Sequence, residues 1–206
     1  MTSVDTRERL IVAAAELFHA KGYNAVGVQE VCRAAGANKG SFYHFFDSKE
    51  SLMTVVVGEG RRTPLMFDPR VFDETPALDV LLLLYAGLAA EVQAQYARSG
   101  HVQGCPIGSL VAEVATQSEP IREAASRALT HMRHMNKELV ERAVREGDLD
   151  ANLDAEAVAA RLVAYVQGAL LLSKTQNEPG VLESLRSGYL MLLGLDPNDP
   201  EAERSA

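Results

Sequence analysis

Lys39, Ser41, Tyr43 and His44 fall within a run of six residues, and each can donate a hydrogen bond to a phosphate oxygen or a base edge. Lys39 and Tyr43 are four residues apart, one turn of a helix, and so share a face. Gly40 between them has no side chain to hold the backbone off a ligand. Phe42, with Phe45 or Phe46, supplies the opposite, buried face at i, i+3 and i+4. The segment before it must position this helix. Val28, Val31, Cys32 and Ala35 form one apolar stripe, and Gly36 stands where a helix ends in the left-handed conformation. Two short helices joined by a tight turn, the second polar and basic outward, form the helix-turn-helix arrangement that reads the major groove of double-stranded DNA.

The block AAGANKGSFYHFFDSKESL resembles the DNA-binding signature of the tetracycline-repressor family, as does TRERLIVAAAELFHAKGYNAVGV ahead of it. The resemblance is residue by residue from about Thr6 to Val57. It implies that Lys39, Tyr43 and Lys49 hold phosphates and that Asn38, Ser41 and His44 lie at or near base edges. It implies that Gln29, at the start of the second helix, touches the DNA backbone. Lys49 would sit in the first turn of a fourth helix, where the helix dipole also favours a phosphate. The family usually has hydroxyl residues where this chain has Val26 and Gly27, which leaves the second helix without that cap. The resemblance further implies a homodimer, joined through the last two long helices and reading a palindromic operator.

Cys105 lies in G-C-P-I-G-S. With Pro106 as the first helical residue, Cys105 occupies the helix N-cap, where the helix N-terminus favours the reactive thiolate. A branch of the family carries a similar GC-x-x-G segment, and some of its members sense electrophiles or oxidants through that cysteine. Lys174, one turn beyond Leu170 on an otherwise apolar helix, could reinforce the thiolate or react with an oxidised sulfur. The alternative is a cysteine packed like alanine and a lysine reaching to solvent. Tyr85, Tyr96, Met132, Met135 and Gln167 could line a cavity for a small-molecule inducer, or simply fill the core. His131 and His134 have a ligand-like spacing but no third partner nearby, so no metal or cofactor is expected.

The remaining sequence supplies the scaffold. Residues 1–62 hold eight Lys/Arg and seven Asp/Glu, net +1, and residues 63–206 hold twelve and twenty-one, net −9, which together give the total of −8. That part would be held off the duplex, leaving the first to approach it. Two cysteines are too few for a disulfide framework. No leader-like segment opens the chain. The longest uncharged apolar run, Val80 to Ala90, is eleven residues, short of a bilayer span. A cytoplasmic protein without a membrane partner is the expectation.

Periodicity is helical throughout and predicts an all-α fold of about nine helices. Asp5 with Glu8, and Asp47 with Glu50, are read as capping boxes, Thr75-Pro76 as an N-cap and first helical residue, and Arg61 to Pro76 as a linker or irregular crossing. The predicted domains are a DNA-binding unit at 1–62, an effector-binding and dimerisation unit at 63–195, and a disordered tail at 196–206. The apolar helix from Ala155 to Ser173, greasy on more than one face, asks for a second subunit. A helical enzyme or an adaptor that does not bind DNA is the alternative. The chain has no phosphate-binding glycine loop, nucleophile elbow or H-E-x-x-H motif to favour the enzyme.

Overall fold

The structure, a computed structural model, describes residues 5–59 and 69–198. Every regular element among them is a helix: α1 (Thr6–Lys21), α2 (Val28–Ala34), α3 (Lys39–Phe45), α4 (Lys49–Glu59), α5 (Pro69–Glu74), α6 (Ala77–Ser99), α7 (Pro106–Val114), α8 (Glu119–Glu146), α9 (Ala155–Gln176), α10 (Val181–Ser184) and α11 (Arg186–Leu192). Two more helices occur than the periodicity suggests. Part of the expected linker forms α5, and the last apolar segment breaks at Leu185 into α10 and α11. Residues 61–68 of the expected linker lie outside the described residues. So does the predicted disordered tail beyond Asn198; Asp196 to Asn198 form a turn in which Asp196 Oδ1 accepts from the Asn198 amide at 2.9 Å.

The contacts divide the chain into two compact units. The first joins α1–α4 to residues 105–128, so α7 and the start of α8 belong with the N-terminal helices. Its core is Leu10, Ala14, Phe18, Val31, Phe42, Leu52 and Met53, closed by Val114, Ile121 and Ala125. The second contains α5, α6 and the chain from Leu129 onward. There Tyr85 and Tyr189 pack ring against ring at 4.4 Å, and Leu81, Leu162, Leu182, Leu190 and Leu193 are fully buried. Length and apolar composition alone would let α6 or α9 cross a bilayer. Instead α6 buries Val80, Leu81, Leu82, Tyr85, Ala89 and Val92 in the core of its own unit.

Three expected caps are rearranged. Asp5 stands at the N-cap of α1 but accepts no cap hydrogen bond. Ahead of α4 the reciprocal pair is Ser48 and Ser51, each amide donating to the other's Oγ at 3.1 and 3.0 Å, in place of Asp47 and Glu50. Helix α6 begins at Ala77 with Pro76 at its N-cap, one residue later than expected. Its first amide is satisfied from a distance, since Glu146 on α8 accepts from Ala77 N at 2.7 Å. The Arg142 guanidinium beside it donates to the carbonyls of Phe72 and Thr75 and to Glu146.

Candidate nucleic-acid interface

The turn between α2 and α3 is built from Gly36, whose φ of +60° only glycine adopts without strain. The Ala37 amide then reaches back to the Cys32 carbonyl at 2.9 Å. Asn38 caps α3, with Oδ1 accepting from the Ser41 amide at 2.8 Å. A Cβ on residue 40 would stand 3.2 Å from that oxygen, so Gly40 keeps the cap uncrowded as well as leaving the outer backbone bare. Phe42 is completely buried and holds α3 down through Phe46, 5.8 Å away. The structure does not choose singly between Phe45 and Phe46: Phe46 is buried and Phe45 half-buried against the same core.

On the opposite face Lys39, Tyr43 and His44 are exposed and Ser41 is half-exposed. Tyr43 is 55 % accessible although aromatic, its ring edge resting on Phe42. Gln29 is exposed on α2. The fold thus brings Gln29, Asn38, Lys39, Gly40, Ser41, Tyr43 and His44 onto one helix-turn-helix. As the sequence suggests, Gly27 gives α2 no side-chain cap.

Lys49 opens α4 as expected, but its ammonium is turned toward the protein. Its Nζ donates to the carbonyls of Tyr23 and Val26, both at 3.0 Å, and lies 4.0 Å from the centre of the Tyr23 ring. Two of three ammonium hydrogens are therefore engaged inside the protein. Partial burial lowers the Lys49 pKa, opposed by the carboxylate of Glu113. The cause of the difference is the turn between α1 and α2, which directs two carbonyls at the start of α4.

Glu113 is a residue the sequence reading missed. From α7 its Oε2 accepts from the Tyr23 amide at 2.9 Å and its Oε1 from the Asn24 amide at 2.8 Å. The available signal was chemical: Glu113 is the one charged side chain in PIGSLVAEV, the sequence of α7.

The proposed sensing residues are placed as follows. Cys105 is the N-cap of α7, half-buried, and its Sγ accepts from the Gly108 amide at 3.3 Å. Cys32 is buried in the first core, and burial raises its thiol pKa. Lys174 is exposed on α9, and it and Cys105 belong to different units. Tyr85 is a core residue, 5 % accessible, donating to the Leu182 carbonyl at 2.6 Å. Met132 and Met135 are half-buried and Tyr96 is 38 % accessible. Among the described residues, two buried side-chain amide atoms have no hydrogen-bond partner, Oε1 of Gln95 and Nε2 of Gln167. An unsatisfied buried amide costs about 1–3 kcal/mol. No group of three or more His, Cys, Asp or Glu that could hold a metal ion occurs among the described residues.

Comparison with known proteins gives two family matches. Residues 10–56 match the model of bacterial regulatory proteins of the tetR family, and residues 86–189 match the tetracyclin repressor-like C-terminal domain. The chain is 30 % identical to the transcriptional regulator AcuR of Cereibacter sphaeroides over 86 % of this chain and 80 % of that protein. It is also 30 % identical to the HTH-type transcriptional regulator LmrA of Bacillus subtilis, over 85 % of this chain and 89 % of that one. The crystal structure of reduced Escherichia coli NemR has the same fold, with a TM-score of 0.77, 24 % identity and coverage of 93 % of this chain and 97 % of that one.

Proposed function

This chain belongs to the tetracycline-repressor family of DNA-binding transcriptional regulators, and from that premise we propose that it is a dimeric repressor released from a palindromic operator by an inducer. The observation that carries the DNA contact is the exposed face of α3 (Lys39, Tyr43, His44), set outward by the fully buried Phe42. Lys39 and Tyr43 hold phosphates there, while Ser41, His44 and Asn38 face base edges; Asn38 must do so with its amide nitrogen, because its oxygen caps the helix. Gln29 contacts the backbone beside them. Lys49 offers at most its remaining hydrogen.

The dimer is supported by apolar surface on the last helices. Leu171 and Leu172 on α9 are 64 % and 47 % accessible, and Met191 on α11 is 62 % accessible. A second copy of the chain covers them. For induction, Cys105 at the α7 N-cap suits a reactive electrophile or oxidant. The unpartnered amides of Gln95 and Gln167, with Met132 and Tyr96, suit a polar small molecule. The protein acts in the cytoplasm, on DNA, and is not an enzyme.

The test is selection of duplexes from a random pool by the full-length protein, followed by binding across a salt series. A palindromic consensus whose affinity falls steeply with salt is expected; recovery of no consensus, with salt-independent retention, would refute the reading.

A further inference from the structure

We infer that Glu113 is a positioning residue for operator binding, gripping the turn between α1 and α2 and so setting the pitch of α2 and α3. The inference rests on the DNA-binding reading above and extends it to a residue outside the helix-turn-helix.

The turn is held on both sides of its peptide groups. Glu113 accepts from the amides of Tyr23 and Asn24, and Lys49 donates to the carbonyls of Tyr23 and Val26. Carboxylate and ammonium thus hold opposite ends of the Tyr23–Asn24 peptide, and hydrogen bonds to charged groups are the stronger kind. Gly22 is shaped for this grip. Its φ is +86°, and a Cβ there would stand 2.9 Å from Glu113 Oε2. A side chain at residue 22 would push the carboxylate away from the two amides.

The clamp replaces what α2 lacks. With no side-chain cap from Gly27, the entry of the chain into α2 is fixed by the turn that precedes it. Helix α2 in turn packs against α3, the helix that carries Lys39 and Tyr43. A second tie, from Ser118 Oγ just beyond α7 to Glu50 Oε1 at 2.6 Å, joins the same segment to α4. Residues 105–128 return to the first unit after the chain has contributed 62–104 to the second. Through Glu113, the geometry of the DNA-reading helices therefore depends on where α7 lies.

Glu113 makes this prediction unusual in sign. Removing an acidic group from a DNA-binding unit should strengthen binding by electrostatics alone. Loss of the clamp should weaken it. Full-length wild type, Glu113→Ala, Glu113→Gln and an exposed acid control on α8, Glu123→Ala, are compared on the duplex selected above. Binding is measured across salt, and amide hydrogen exchange at Tyr23 and Asn24 is measured without DNA. Glu113→Ala is expected to bind about tenfold more weakly with an unchanged salt slope, and its two amides to exchange roughly tenfold or more faster. Glu113→Gln, which keeps one acceptor oxygen, should fall between, and Glu123→Ala should bind as well as wild type or better. Should Glu113→Ala fail to fold, Glu113→Gln decides. Exchange unchanged at both amides, or operator affinity at or above that of wild type in the folded variant, overturns the inference. Exchange reports the clamp without DNA, so its failure is distinct from a failure of the wild type to bind any operator.

Discussion

The two units use polar groups in opposite ways. In the first, Lys39, Tyr43 and His44 face outward, while Asn38, Lys49 and Glu113 hold the backbone of the helix-turn-helix from behind, Asn38 from three residues away and Glu113 from 90. In the second, polar groups are drawn into the core and tie distant segments together. Tyr85 reaches Leu182, Tyr189 reaches Leu81, and Arg142 reaches Phe72 and Thr75. The first unit thus leaves one polar face uncovered and secures the backbone beneath it. The second directs its polar groups to joining its own segments.

That contrast predicts where substitutions act. Phe42→Ala should have the largest effect, destabilising the first unit by about 3–5 kcal/mol, because a fully buried aromatic is removed. Thermal unfolding followed by circular dichroism measures it, and a loss below about 1 kcal/mol would place Phe42 outside the core.

Adjacent leucines on α9 separate packing from assembly. Leu170 is 3 % accessible and Leu171 is 64 %. A glutamate at Leu170 should unfold the second unit, since a buried unpaired carboxylate costs several kcal/mol. A glutamate at Leu171 should leave the fold intact and dissociate the dimer, read by sedimentation. Folded monomers from Leu170→Glu and intact dimers from Leu171→Glu would reverse the assignment of these faces.

Alkali should weaken the second unit through its tyrosines. Burial pushes the Tyr85 hydroxyl up to about 12 and raises Tyr189 still further, against an ordinary value of 10.0. Raised values mean that the native state holds protons which the unfolded state loses first. The stabilisation is complete below pH 10 and is lost as pH rises toward about 12. Unfolding at fixed denaturant across that range should show the decline, with a smaller decline in Tyr85→Phe. Stability flat across it would contradict the buried neutral pair.

The smallest effects concern caps. Asn38→Ala should cost about 1 kcal/mol, through loss of the bond to the Ser41 amide. Asp5→Ala should change stability by less than about 0.5 kcal/mol, because Asp5 makes no side-chain cap bond. Equal losses in urea unfolding would erase the distinction.

Legibility in the sequence follows the reach of each contact, whichever unit it lies in. The apolar stripe of α2, Gly36, the buried Phe42 and the Cys105-Pro106 start of α7 are all local patterns, and each stands where spacing put it. Asp47 and Glu50 carried an equally good capping pattern, yet the Ser48–Ser51 pair forms instead, a choice between overlapping local motifs that spacing cannot make. The start of α6 depends on Glu146, 69 residues away, and Glu113 acts on an amide 90 residues away. Neither partner can be found by period. Lys49 shows the mixed case, since its place at the head of α4 was legible but the carbonyls that engage it belong to a turn whose path is a tertiary matter.

Reactivity of the two cysteines tests the sensing reading independently. Exposed to N-ethylmaleimide while bound to operator, wild type and Cys32→Ser should be released, and Cys105→Ser should stay bound. Release of Cys105→Ser as readily as wild type would move induction to the non-covalent site.

The salt dependence of operator binding in two lysine variants tests the central claim, that α3 meets the phosphates while Lys49 works from inside. Lys39→Ala should weaken binding and reduce the slope of log affinity against log salt by about one. Lys49→Met should weaken binding with the slope nearly that of wild type, because its ammonium serves the Tyr23 and Val26 carbonyls. An unchanged slope in Lys39→Ala together with a slope reduced by about one in Lys49→Met would contradict the account.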